Sequence, residues 1–535
     1  MKKIIFILLL GAFISCESIL DKSPLDSISS GTFWKSEDDL RLFTNNMYSF
    51  LSLSSTIDNW SSDYFQRGTN SISSGNNVPS NSDGTWNDSY KGIRRANEFL
   101  ENVDNAEVPE SVKDRYSGEI KFFRAYLYFK LVQRFGDVPL VLNTIDFDSP
   151  DLFGDRTPRV QVVNQIISDL QSAADVLPKK SELVKTDKGR VTRGTALGFL
   201  SRVALFEGTY EKYHKIGNSS SRLQIAKQAA FDFINENEYP LVLDFSTLYS
   251  EDNENNSETA LAKWYKESVT GVSPLGRNLM LEASIAPTKK LADAFLCIDG
   301  LPIQFSPLFK GYNSLNSEFV DRDPRMAFTI WEPGTDFGGN PLVPELRMTS
   351  TGYWPKKPGD PKALSVTFVY TDQILLRTGE VLLNYAEAVY ELDGAISDTD
   401  LNLSINKLRT RAHMPKLTNA FVNGSNSANK KLDMLEELRR ERRIELAGEG
   451  FRYYDLIRWK TAETDLPIAI LGAKFQKDYY PEIVPGVDIF IDENGFIIAQ
   501  GVENRQFISP KNYLFPVPLG QIALNSSLEQ NPGWD

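Results

Sequence analysis

Between Leu435 and Trp459 the chain sets Glu437, Glu441 and Glu445 at four-residue spacing among Arg439, Arg440, Arg442 and Arg443, with Glu449 following. Paired carboxylates are the apparatus of glycoside hydrolysis, where an acid and a base or nucleophile flank the scissile bond. The spacing argues against that chemistry. Helix neighbours four residues apart lie in one row on one surface, so they cannot stand on both sides of a sugar linkage. The arginines beside them lower carboxylate pKa values and leave no general acid. Gly448 and Gly450 stop the helix, and Phe451, Tyr453, Leu456 and Trp459 alternate with Arg452, Asp455 and Arg458. A solvated helix does not need so many rings around its charges. The segment reads as an ion network folded into an interior.

Other chemistry finds little support. The two histidines are His214, in Tyr-Glu-Lys-Tyr-His-Lys, and His413, after Arg411 and Ala412. The first reads as a solvated helix end and the second as a loop, and neither stands near a nucleophile signature. No phosphate loop or dinucleotide glycine pattern appears. Apart from Cys16 there is one cysteine, Cys297, in an apolar setting that predicts a buried, inert thiol and excludes a thiolate zinc cluster. The net charge of −13 argues against nucleic acid as a partner. The chain reads as a non-enzyme with no cofactor and no metal.

Binding is what remains. Flat rings take the C–H faces of sugars, while amides, carboxylates and guanidinium groups take the hydroxyls. Two loop regions carry that mixture. One runs from Asp58 to Trp86, with Trp60, Asp63, Tyr64 and Arg67 before a Ser/Asn/Gly-rich span and Trp86 at its end. Long polar loops of this kind are usually functional or disordered. The second runs from Trp264 to Arg277, with Trp264 and Tyr265 as rings and Lys266 and Arg277 as polar groups. Trp331 and Trp354 lie farther on and read as core rings.

The elements that must hold these loops are mostly helical. Apolar periodicity predicts helices over 36–53, 86–103, 111–135, 160–177, 191–206, 223–235, 372–392 and 401–411. Small residues such as Ala196 and Gly198 suit close crossings, and the paired helices resemble irregular tetratricopeptide repeats. Short strands are expected at 261–265 and 328–331. At the N-terminus, Lys2 and Lys3 precede an apolar run from Ile4 to Ile14, too short for a stable bilayer anchor. Cys16 follows Ser15 directly, which resembles a lipobox. Residues 1–15 read as a lipoprotein signal peptide, and 16–30 as a tether lipidated at Cys16. Residues 31–535 read as a single body, with repeats mainly over 31–240 and 372–459 and an irregular lobe mainly over 241–371 and 460–535.

Several stretches together resemble the SusD/RagB family, the surface lipoproteins of Bacteroidetes nutrient uptake. They are Phe33-Trp34, Trp86…Tyr90…Ile93…Asn97, the run from Arg124 to Leu140, Val191 to Leu205, Leu375 to Ala388, Leu435 to Trp459, and Leu514-Phe-Pro-Val-Pro-Leu with Gln530-Asn-Pro-Gly-Trp534. Thr378-Gly379 departs from the larger or polar helix formers that are usual there. The resemblance implies a mostly α fold, tetratricopeptide-like repeats packed against a loop-rich lobe with short strands. It places recognition on loops of the irregular side. It further implies a cell-surface lipoprotein held at the outer membrane, and a SusC/RagA-like TonB-dependent transporter as partner. The ligand it implies is an oligosaccharide, or, as in RagB-like members, an oligopeptide.

Overall fold

The computed structural model describes residues 33–52, 58–68, 71–146, 148–266, 273, 277–283, 285–366, 368–424 and 432–534. Cys16 and the tether lie outside the described residues.

Six helices build the first half. α1 (Glu37–Met47) starts on a reciprocal Ser36–Asp39 cap, and α2 (Gly84–Asn102) starts on Asp83. α3 (Glu110–Phe135) and α5 (Arg193–His214) are buried almost all round, and α4 (Arg159–Val176) and α6 (Ser219–Glu236) cover them. α3 packs on α2 and α4, and α5 packs on α4 and α6. A helix buried on all sides loses its amphipathic stripe, which suits α3 and α5 to the centre. Gly198 permits the close crossing of α5. A Cβ there would meet Leu376 at 3.0 Å and Val381 at 3.3 Å.

Five further helices return to this stack: α7 (Thr378–Asp393), α8 (Asp398–Leu403), α9 (Ile405–Arg411), α10 (Met434–Glu445) and α11 (Arg452–Arg458). The helix expected from Asp372 begins six residues later. Gln373–Arg377 is instead a strand, β2, paired antiparallel with β1 (Thr259–Lys263). The departure at Thr378-Gly379 has its reason here. A Cβ on Gly379 would lie 2.0 Å from the Arg377 guanidinium, so a side chain there would push that guanidinium away from Glu258, Glu445 and Glu449. The helix expected over 401–411 is broken at Ser404 into α8 and α9.

The rest is turn-rich. β3 (Ile470–Lys474) pairs irregularly with β4 (Phe496–Gln500). Two-residue ladders join Tyr64–Phe65 to Ala286–Pro287 and Ile330–Trp331 to Trp354–Pro355. One apolar core runs from Trp34 to Leu528, with smaller clusters under the irregular lobe. The fold is mostly α, helical repeats carrying that lobe. Among the described residues no helix is long and apolar enough to cross a membrane.

Candidate functional site

Glu437, Glu441 and Glu445 of α10 are buried, and the partners of the last two come from elsewhere in the chain. Glu445 accepts from Arg325 at 3.0 Å, from Arg377 at 2.8 Å and from Arg411. Glu441 accepts from Arg325 at 2.6 Å and Arg409 at 2.9 Å. Glu449 takes both forks of Arg377 at 2.7 and 2.8 Å, and Lys357 at 2.7 Å. Burial pushes these carboxyls up, and the surrounding cations overcome it, holding Glu445 well below the usual range. Of the arginines on α10, Arg440 stays with Glu437 at 3.2 Å and the others turn elsewhere. Arg439 reaches Glu391 at 3.0 Å, and Arg442 reaches Asp455 at 2.9 Å.

Arg443 settles the fate of one expected ligand residue. It grips Asp63 at 2.5 and 2.7 Å, with Arg452 at 3.7 Å. Asp63 is therefore a buried, committed anion rather than a group facing a ligand. Its neighbour Tyr64 is buried in the ladder with Ala286–Pro287. Trp86 is also buried, edge-on to Phe135 at 5.2 Å. Their sequence setting did not distinguish a polar loop from the packed floor beneath it. Arg67 stands exposed on the loop, and Arg277 lies outside the described side chains. His214 is a further correction. It is half-buried, stacked on Tyr210 at 3.9 Å and bonded through Nε2 to the Ile457 carbonyl at 2.8 Å. Burial holds its pKa down to about 4, so it is neutral.

Trp60 remains, half-buried in the lining of a cavity of about 380 Å³ between α3, α5 and the segment 449–458. That volume lies within the range of small-ligand sites. Trp60 sits edge-on to Tyr453 at 5.5 Å and tilted against Phe515 at 5.6 Å. Arg134 lies 3.8 Å over the Phe515 ring and 5.6 Å from Trp60, and is fixed by Asp83 at 2.7 Å. Lys130 donates to Ser52 at 2.9 Å beside it. The depth of the cavity is lined by rings such as Phe129, Phe199 and Phe451, together with three more arginines. Each of those has its charge answered. Arg202 holds Glu380, Arg442 holds Asp455, and Arg458 holds Glu387 and Asp455. The walls are thus polar but close to neutral, with flat apolar faces between the polar groups. That is a surface for an uncharged, hydroxyl-rich molecule. It is poor for acid catalysis, because the Glu449 and Asp455 carboxylates are held by cations.

Tyr126, Lys130, Gln133 and Arg134 belong to the run that resembles the family and are not among the expected ligand residues, yet all four line the cavity. Their spacing at i, i+4, i+7 and i+8 sets them along one face of the C-terminal half of α3, which is the sequence signal that would have found them.

The second expected region lies beyond β2. Ile374 lines both the cavity and a small cleft that contains Asp372. Trp264 is 38% exposed, and its indole lies flat against the space above Gly189, where a Cβ would come within 2.2 Å of the ring. Tyr265 is half-buried and donates its backbone N–H to Asp372 at 2.8 Å. Burial raises the Asp372 carboxyl to about 6, and burial with Asp372 and Glu251 nearby raises Glu254 to about 7. Two raised carboxyls invite a hydrolytic reading, but their cleft holds only about 10 Å³. That is the space of one water and admits no sugar.

Residues 245–534 match the model of the SusD family, and residues 15–205 match one described as starch-binding and associating with the outer membrane. A SusD-like protein of Formosa agariphila is 25% identical over 511 residues, spanning 85% of this chain and 89% of its own. Among solved structures, a SusD-like carbohydrate binding protein from Bacteroides fragilis gives a TM-score of 0.78 at 24% identity. It covers 93% of this chain and 100% of its own. A laminarin binding SusD-like protein gives 0.59 at 21% identity, over 93% and 100%. The match over 245–534 spans more than half of the 535 residues, so the chain belongs to the SusD family.

Proposed function

We propose that this protein is a cell-surface glycan-binding lipoprotein, anchored to the outer membrane through Cys16, that captures an oligosaccharide for a SusC/RagA-like TonB-dependent transporter. The observation that carries the reading is the cavity at Trp60, where aromatic side chains line the wall among ion-paired polar groups. Two SusD-like structural neighbours named for carbohydrate or laminarin binding support it, as does the starch-binding description of the matched N-terminal region. Trp60 lines the cavity, and the exposed Trp264, with Tyr265 beside it, offers a second ring directly after β1. Arg67 is assigned to the approach. The site binds and does not cleave.

Calorimetry with the best glycan from an array tests this. Trp60→Ala or Trp264→Ala is expected to cost roughly 2 kcal/mol of binding, the mark of a hot spot, which is about a thirtyfold loss. Both variants binding like wild type while folded would place the site elsewhere. An array that captures peptides and no glycan would replace the ligand class. The anchor is tested separately. Cys16→Ala is expected to leave an unlipidated chain that does not partition with outer membranes, and mass spectrometry finding no acyl chains on wild-type Cys16 would refute it.

A further inference from the structure

A second cleft, sharing no lining residue with the first, lies where the end of α6 meets the start of α7 and the α8–α9 pair. It encloses about 370 Å³. Its floor is apolar, with Leu382 and Leu241 beside the ring of Tyr239, which is itself stacked on Phe233 at 5.5 Å. Its polar wall is of one sign. Lys407 and Lys416 line it with Asn402 and Thr410, and no carboxylate lines it.

The carboxylates carried by the surrounding helices are all turned to other tasks. Glu236 at the end of α6 holds Arg193 at 2.5 Å, and Glu380 in α7 holds Arg202. In α8, Asp400 accepts from Tyr385 and Ser397, and Asp398 accepts from Asn419. Among the described residues neither Lys407 nor Lys416 has an ion-pair partner within 4.0 Å, the limit for such a bridge. Burial lowers the Lys407 ammonium, with no anion to offset it. A third ammonium, Lys180, sits 4.4 Å from the Tyr239 ring, with Glu238 as its nearby anion. In a chain of net charge −13 this is a local reversal of sign. A concave site of this sign gathers anions from solution.

We infer that this cleft binds an anionic sugar unit, a carboxylate- or sulfate-bearing residue whose acid group meets Lys407 and Lys416 while its ring lies on the Tyr239–Leu241–Leu382 floor. Asn402 and Thr410 are placed to take its hydroxyls. The volume suits one or two sugar rings. The assignment is to a site separate from the Trp60 cavity and does not rest on it.

The test is a titration of the full chain with glucuronate, glucose 6-sulfate, glucose and triglutamate, followed by nuclear magnetic resonance or calorimetry. Glucuronate or glucose 6-sulfate is expected to bind saturably and glucose not to, and the two acids tell carboxylate from sulfate. Lys407→Ala and Lys416→Ala are each expected to weaken that binding by about tenfold or more. Their melting temperatures should change little, since neither side chain holds an ion pair among the described residues. Trp60→Ala is expected to leave it intact, which separates failure of this inference from failure of the neutral-glycan reading. Absence of saturable binding by both acidic sugars, binding that survives both lysine variants, or tighter binding of triglutamate than of either sugar would overturn it.

Discussion

Glu445→Ala is expected to lower the stability of the folded protein by about 3–5 kcal/mol, the scale on which a buried ion pair fails when one partner is removed. Glu445 is fully buried and answers three guanidinium groups, Arg325, Arg377 and Arg411. Truncation leaves those cations desolvated with one acceptor fewer, and Arg411 then depends on Glu258 alone. Chemical denaturation of the variant and wild type measures the difference, and glycan affinity per folded molecule should be unchanged. A fully stable variant that has lost binding would move Glu445 from the scaffold to the site. Arg452→Ala should cost less. Its charge is already disfavoured by burial and by Arg443, and its nearest acid, Asp63, is 3.7 Å away.

Stability should peak on the acid side of neutrality and collapse below it. The Glu387 carboxyl, buried but gripped by Arg458, lies at about 2 against an ordinary 4.5. A depressed carboxyl contributes stability that is complete above its unfolded pKa and lost as pH falls through the folded one. For Glu387 that contribution is about 3 kcal/mol at neutral pH, and Glu441, Glu445 and Glu449 act in the same direction. Glu318 has the opposite sign. Burial raises it to about 7 even though Tyr353 donates to it at 2.9 Å. Its contribution is complete below 4.5 and lost as pH rises through 7. Asp372 and Glu254, raised to about 6 and about 7, act as Glu318 does. His214, held down to about 4, acts against them, because its contribution is lost as pH falls from 6.5 toward 4. Melting temperature should therefore be greatest at about pH 5, decline toward 7 and fall below 4.5. Glu318→Gln should make the upper slope shallower while leaving the acid collapse. A melting curve with no acid limb would contradict the assignment of the buried glutamates as paired anions.

The helices were legible because their apolar spacing is local information. So was the interior character of 435–459, since rings among charges have no use in water. What could not be read was the identity of the partners. Nothing near Glu441 announces Arg325 or Arg409, and a carboxylate in a loop, such as Asp63, looks the same whether it awaits a ligand or an arginine 380 residues away. The same ambiguity hid the cavity wall. Lys130 and Arg134 sit in a helix that serves as framework on one side and cavity lining on the other. Only the packing of α3 against the 449–458 segment separates the two roles. Trp60 and Trp86 differ in the same way. Both bracket one loop, and the seat of each ring is decided by contacts with Phe515 and Phe135 far along the chain or in the next helix.

The order of charges along the chain has a consequence for assembly. Arg409 precedes both carboxylates that neutralise it, Glu437 and Glu441, and Lys357 and Arg377 precede Glu449. A polypeptide threaded N-terminus first, from a ribosome or across a membrane, delivers Lys357 and Arg409 before the carboxylates that answer them, whereas Arg377 already has Glu258 behind it. Until residues 437–449 emerge, Lys357 and Arg409 have water as their partner, so their burial waits on that segment.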